Sequence, residues 1–470
     1  MNRNYFNLLL ILGVFSSLFA ITPAAAQEKL PPNLSTRQKG TDWATFLGPT
    51  RNGKSTETGL ITPWPVAGPK VLWHKPLSTS YGIGSISRGR LFQFDRHEDM
   101  ERLTVLNAET GDFLWKYEYP TQYEDSLGYN NGPRTSPIVD GDRVYIYGAE
   151  GKLHCLSITS HKVLWSVDAN KKFGVVQNFF GVGSTPVVYK DLLLVMVGGS
   201  PDDSHNFGRF DLDRVIGNGT GIVAFDKRTG VVKYQFSDEM SSYAGMTWQK
   251  VGDRDYGFAF VRGGLVAFDP QTGKQDFHYP WRSRLRDSVN ASTPIVAGDE
   301  VFISETYGPG SSLLKLKPDG YEVVWKDSEL VRERKMQTHW NTCILHDGYL
   351  YGSSGRNTND AELRCIEWKT GKVMWSEPGL TRSSLMYVDG HLVCLSEYGV
   401  LRLLKATPER FEMVSGVYLR IPQQESNVAD PAMLKYPAWA APILSHGLLY
   451  VRGDDRMVCL EVIPQGVPKE

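Results

Sequence analysis

Short apolar runs, separated by turns rich in Gly and Asp, follow one another along this chain and predict many short strands. Four segments repeat one phrase: Leu106–Trp115, Phe225–Tyr234, Phe268–Phe277 and Ile366–Trp375 each join an apolar stretch to a Thr-Gly turn and set a ring-bearing residue four positions beyond the Gly. One hairpin signature recurring every roughly 40 to 70 residues points to a radial array of small sheets.

A fuller unit runs from Ser136-Pro-Ile-Val-Asp-Gly-Asp-Arg-Val-Tyr-Ile through Lys152-Leu-His-Cys-Leu to Lys162-Val-Leu-Trp-Ser-Val-Asp168. It reads as an inner strand, an Asp-Gly turn, a second strand, a third, and an outer strand bearing Trp165. Asp-Gly suits this turn because both central positions take positive φ. The inner half recurs from Thr185, Thr293, Leu345, Tyr387 and Pro442, with weaker copies near Ile86 and Trp248, making eight. Outer strands follow at 113–117, 163–167, 231–236, 274–279, 322–326, 372–376 and 411–417, only seven. The eighth lies upstream, at Lys70–Lys75, and the chain's end has inner strands through Met457–Val462 with no outer strand. The two deficits fit each other. The expected fold is all-β: an eight-bladed β-propeller of four-stranded antiparallel blades, closed by the N-terminal outer strand pairing with the C-terminal blade and so leaving no free seam. Seven blades is the runner-up, because the Phe411 copy lacks the Thr-Gly turn. Trp73, Trp115, Trp165, Tyr234, Phe277, Trp325 and Trp375 are expected to wedge between neighbouring blades as structural docking aromatics.

Charge is nearly balanced, 51 Lys+Arg against 52 Asp+Glu, which gives no field to draw in nucleic acid. The first 26 residues read as a signal peptide: Arg3, an apolar run from Leu8 to Ile21, then Ala24-Ala25-Ala26. The mature chain is thus expected to be exported, periplasmic or extracellular, monomeric and without a transmembrane segment. Residues 27–68 form an extended lead segment, 69–463 the propeller and 464–470 a tail. Cys155, Cys365 and Cys459 fill the same slot of different repeats, too far apart for a bridge. They and Cys343 and Cys394 are expected to be free, buried thiols.

The apolar-x-x-x-Thr-Gly-x-x-x-Trp phrase in this blade order resembles the tryptophan-docking motif of the pyrroloquinoline-quinone (PQQ) repeat family, over about residues 69 to 463. The leader Trp43-Ala-Thr-Phe-Leu-Gly-Pro-Thr-Arg-Asn-Gly53 is similar to the segment preceding the propeller in many secreted members. The resemblance implies one of two activities. Quinoprotein alcohol and sugar dehydrogenases hold PQQ and Ca²⁺ on the ring axis. A second branch, similar to the assembly lipoprotein of the outer-membrane β-barrel insertion machinery, is a scaffold without cofactor. This chain lacks the adjacent cysteines common in the first branch and the lipidation Cys of the second.

In a four-stranded blade, the link to the next blade and the second-to-third link emerge on one face of the ring. The Asp-Gly and Thr-Gly turns fall on the other. Length and variety gather on the first face, at 118–133, 198–221, 307–312 and 355–361, where binding is expected. Arg134, Asn290, His339, Trp340, Asn341, Arg382 and Trp439, just before inner strands, should ring the channel mouth. Guanidinium forks and indoles there would clasp a planar anionic ligand; a merely wet, polar mouth is the plainer alternative. Asp202, Asp203, Asp211 and Asp213 in the longest insertion are weak metal candidates without EF-hand spacing. No catalytic residue is assigned. The expected function is a non-catalytic binding or scaffolding propeller facing a protein or glycan, with no assigned cofactor; the alternative is a PQQ- and Ca²⁺-dependent alcohol or sugar dehydrogenase.

Overall fold

The computed structural model describes residues 30–465 apart from 208–210, 423–424 and 426–430; the expected signal peptide, 1–26, and most of the C-terminal tail lie outside it. Eight four-stranded antiparallel sheets form the blades of one propeller. Counting inner to outer strand, blade one runs from Ser85–Ser87 to Phe113–Pro120 and blade two from Ile138–Asp140 to Val163–Asp168. Blade three spans Val187–Tyr189 to Val232–Phe236, blade four Thr247–Val251 to Gln275–Pro280, and blade five Ile295–Ala297 to Gly320–Lys326. Blade six spans Ile344–His346 to Val373–Pro378, and blade seven Ser383–Val388 to Met413–Tyr418. Blade eight begins at Ile443–Ser445, and its third strand, Arg456–Glu461, pairs antiparallel with Lys70–Pro76, from Lys70 opposite Glu461 to Pro76 opposite Arg456. The chain therefore closes its own ring, as the two sequence deficits require.

Every outermost strand pair carries one register shift, just before the docking position is passed. Across the pair, Trp73, Trp165 and Trp375 face Cys459, Cys155 and Cys365, so small buried thiols sit opposite large rings. All five cysteines are free and buried. Six of the seven docking aromatics reach the third-to-fourth turn of the following blade, and Phe277 packs on Tyr321 in the next outer strand at 4.9 Å. Indole N–H groups of Trp73, Trp165, Trp325 and Trp375 donate to the backbone oxygens of Ala108, Lys227, Trp368 and Thr407, and the Tyr234 hydroxyl donates to that of Pro270. Trp115 instead stacks on His161, with centroids 4.5 Å apart. The Gly of Thr-Gly serves two ends here. It supplies positive φ, and its bare Cα admits the ring: a Cβ on Gly273 would lie 2.4 Å from Tyr234.

The leader crosses the turn-bearing end of the channel. Trp43 bridges to Ile86, Ala44 accepts the Val139 amide, and the Arg51 guanidinium lies 4.2 Å from the Trp248 ring. Gly53 and Ser55 then bond Tyr387, and Glu57 accepts the amides of His446 and Gly447. Blades one, two, four, seven and eight are thus tied to one strap, which stoppers that mouth with buried Trp43 and Leu47.

Candidate functional site

The opposite end of the channel is built from inter-blade links, each held in place by short bonds to its neighbours. Arg382 precedes the inner strand of blade seven. Its Nε and Nη2 donate to Glu397 at 3.0 and 2.6 Å, and the Glu397 carboxylate is fully buried. The same guanidinium stands 4.5 Å from the Trp340 ring, and Trp340 packs on Trp439 at 4.7 Å. Trp340 Nε1–H donates to the Trp439 backbone oxygen, and Trp439 Nε1–H to Glu397. Arg382 also donates to His339 Nδ1 at 3.4 Å, which leaves the ring proton on Nε2, 2.9 Å from the Tyr307 hydroxyl. Burial, aided by the Arg382 and Arg356 charges, pushes the His339 pKa down to about 3, so the imidazole is neutral.

His339, Trp340, Arg382 and Trp439 therefore form one cluster. The aromatic path continues from Trp439 to Tyr81 at 4.8 Å; Arg134 stands 5.4 Å from both Tyr81 and Phe180, and Phe180 packs on Tyr243. Arg134 is engaged by the buried Asp125 carboxylate. Asn290 and Asn341 do not join this wall as ligand groups. Asn290 Nδ2 donates to the Val261 oxygen and Asn341 Nδ2 to the Ser353 oxygen, so both brace backbone.

The four aspartates of the blade-three insertion do not converge. Asp213 accepts from Arg262 and Arg282, Asp211 pairs with Arg214, and Asp202 and Asp203 open a 3-10 turn. Among the described residues, no three His, Cys, Asp or Glu side chains gather as a metal site would need.

Residue-type reasoning missed the exposed apolar side chains. Outside the leader and the outer strands, those of large size among the described residues are Leu127, Tyr129, Ile216, Val231, Leu285, Leu330, Val331, Tyr398 and Tyr436. All but Val231, which sits in the Thr-Gly turn of blade three, lie on loops of this same face, and Tyr129 and Val331 are each 63% exposed. Their signal was present in the sequence as apolar residues inside loops, but loops are read for polarity and turn type. The face also carries a groove between the blade-three insertion and blade four.

Comparison with known proteins agrees with this architecture. The profile of the family described as outer membrane protein assembly factor BamB matches residues 66–200 and 99–377. The chain belongs to this family of PQQ-repeat β-propellers. A curated relative, the dehydrogenase subunit of the quinone alcohol dehydrogenase of Gluconobacter oxydans, is 24% identical over 344 residues, 66% of this chain; that match spans only 41% of the subunit's length. Among solved structures, the quinohemoprotein alcohol dehydrogenase of Comamonas testosteroni superposes with a TM-score of 0.61 at 14% identity, covering 91% of this chain and 82% of that one. BamB of Moraxella catarrhalis superposes with a TM-score of 0.53 at 12% identity, covering 83% and 99%. At such identities these structures establish the shared fold alone. No helix among the described residues is long and apolar enough to cross a membrane.

PQQ is a planar tricarboxylate, so holding it takes uncommitted cations and an open ring face, and Ca²⁺ takes converging oxygens. Both arginine forks at this mouth are held by internal carboxylates, and the half-buried Trp340 and Trp439 rings pack on each other, on Arg382 and on Tyr81. The residues of the mouth do not fit that pair of groups.

Proposed function

We propose that this chain is an exported, non-catalytic scaffolding propeller that docks a protein partner on its loop-bearing face. The observation that carries this reading is the gathering of eight exposed apolar side chains on that one face, above a mouth whose charges are already internally paired. Apolar and aromatic groups in a polar surround are the anatomy of a protein interface. A glycan would call for free polar groups beside the rings. The likeness to an assembly factor supports a protein partner; the likeness to quinone-linked dehydrogenases keeps the alternative testable.

A photo-reactive residue placed at Tyr129 or Tyr398 in the producing cell should cross-link one discrete polypeptide, while the same group at Asp253, on the turn-bearing face, should not. Equal cross-linking from both faces, or from neither, would reject the scaffold.

A further inference from the structure

The strap that crosses the turn-bearing end of the channel covers a small cavity. Its volume is about 40 Å³, room for about three water molecules. Leu47 and Arg51 of the leader form one side. The other is made by residues that open inner strands: Ile138 of blade two, Thr185 of blade three, Met246 of blade four and Thr293 of blade five. Most of the lining is apolar, and none of it is acidic.

Arg51 is the one charged group at the wall. Its guanidinium lies 4.2 Å from the Trp248 ring, and Nη2 donates to the Trp248 backbone oxygen at 3.3 Å. Neither contact carries a full negative charge. The Nε–H is buried and has no partner. Burial lowers the Arg51 pKa, and no carboxylate among the described residues stands close enough to raise it.

The threonines add two further donors. The Thr185 hydroxyl oxygen accepts the Ser136 amide at 3.1 Å, and that of Thr293 accepts the Gly245 amide at 3.2 Å. Among the described residues, neither hydroxyl has an acceptor for its own proton. Thr45, also at the wall, differs because its hydroxyl already donates to the Gly48 oxygen at 2.9 Å. A space this small brings its lining groups within reach of one occupant.

We propose that this cavity binds one small monovalent anion of the size of chloride, held by the Arg51 Nε–H and the Thr185 and Thr293 hydroxyls. Three donors, an uncompensated positive charge and no acidic neighbour select an anion over water or a cation. The apolar walls and small volume exclude a multivalent anion, which would have to shed far more hydration to enter. The bound ion links the leader to blades three and five. The site lies at the end of the channel away from the docking face, and it stands without the scaffold reading.

The test uses the full mature chain and two readouts. Chloride is titrated from chloride-free buffer at constant ionic strength against gluconate, an anion too large for the cavity, and the melting temperatures of the parent and Arg51→Gln are compared. Gln meets the same positive φ, +55°, so backbone strain is common to both chains. The parent should gain about 2 °C over the variant and then level off as the site fills. Comparing the two chains in each buffer removes the general effect of salt. Crystals grown in bromide should show one anomalous scattering peak in the cavity beside Arg51, a readout that holds even if Arg51→Gln fails to fold. A gap between the chains that does not change with chloride, or water alone in the cavity of the bromide crystals, would overturn the site.

Discussion

Ser415 of blade seven accepts the backbone amide of Trp64 at 2.9 Å, and the two residues mark the one seam built differently from the rest. In the other blades the position opposite the third strand holds a docking ring; in blade seven it holds Ser415, opposite Leu403. The following blade has no third-to-fourth turn to receive a ring, because the chain enters and leaves there. The leader instead brings Trp64, buried to 5% exposure within the core shared by blades seven, eight and one. Trp64→Ala should therefore cost as much as removing a repeat aromatic, about 3–5 kcal/mol, and match Trp325→Ala in urea unfolding. A loss below about 1 kcal/mol would show the leader tryptophan to be a passenger.

The Thr-Gly turns make a second, sharper comparison. Gly273 and Gly252 both have positive φ, +75° and +60°, so Ala strains either backbone. Only at Gly273 would the added Cβ meet a ring, Tyr234. Overpacking adds about 1–3 kcal/mol, so Gly273→Ala should be less stable than Gly252→Ala by that margin. Equal melting temperatures would mean that the glycine serves φ alone.

The wheel itself was legible in the sequence because each blade repeats two local turn signals, and the missing outer strand at the end could be matched to Lys70–Lys75. Ser415 was not, since the Phe411 segment kept a strand pattern after losing its ring and turn; Phe411 packs edge-on against Trp375 instead. The leader's course was hidden for another reason. Its contacts join residues separated by hundreds of positions, such as Glu57 and Gly447, with no periodicity to announce them. At the mouth, proximity of His339, Trp340, Arg382 and Trp439 followed from blade order, but their mutual pairing did not. The sequence placed Arg382 without revealing Glu397 beneath it, and so suggested a free fork.

A buried carboxyl sets one pH response. Glu101 accepts the Tyr119 hydroxyl and the Ala149 amide, and burial raises its pKa more than these bonds lower it. A carboxyl whose pKa is raised by folding keeps its proton in the native state while the unfolded chain releases it. Stability is undiminished below the ordinary value of 4.5 and falls as pH rises beyond it. Glu101→Gln imitates the protonated carboxyl, so its melting temperature should exceed the parent's at pH 8 and approach it at pH 4. A variant less stable than the parent at pH 8 would contradict this.

The leader carries a dependence of the same sign, set at higher pH. His446 Nε2 and Asp42 Oδ1 lie 3.1 Å apart and join blade eight to the strap. The Asp42 hydrogen bond, with Asp42 and Glu57 charges, raises the His446 pKa above 6.5 despite burial. This contribution is complete below pH 6.5 and is lost as pH rises through the raised value. Melting temperature should fall between pH 6 and pH 9 by more in the parent than in His446→Gln, whose ring no longer titrates. Parallel curves would remove the pair from the account.

Quinone titration tests the central claim most directly. Mature protein mixed with PQQ and Ca²⁺, then desalted, should retain no stoichiometric quinone absorbance and should reduce no dye with alcohols or sugars. One tightly held quinone per chain, with alcohol-dependent dye reduction, would contradict the scaffold and establish a dehydrogenase.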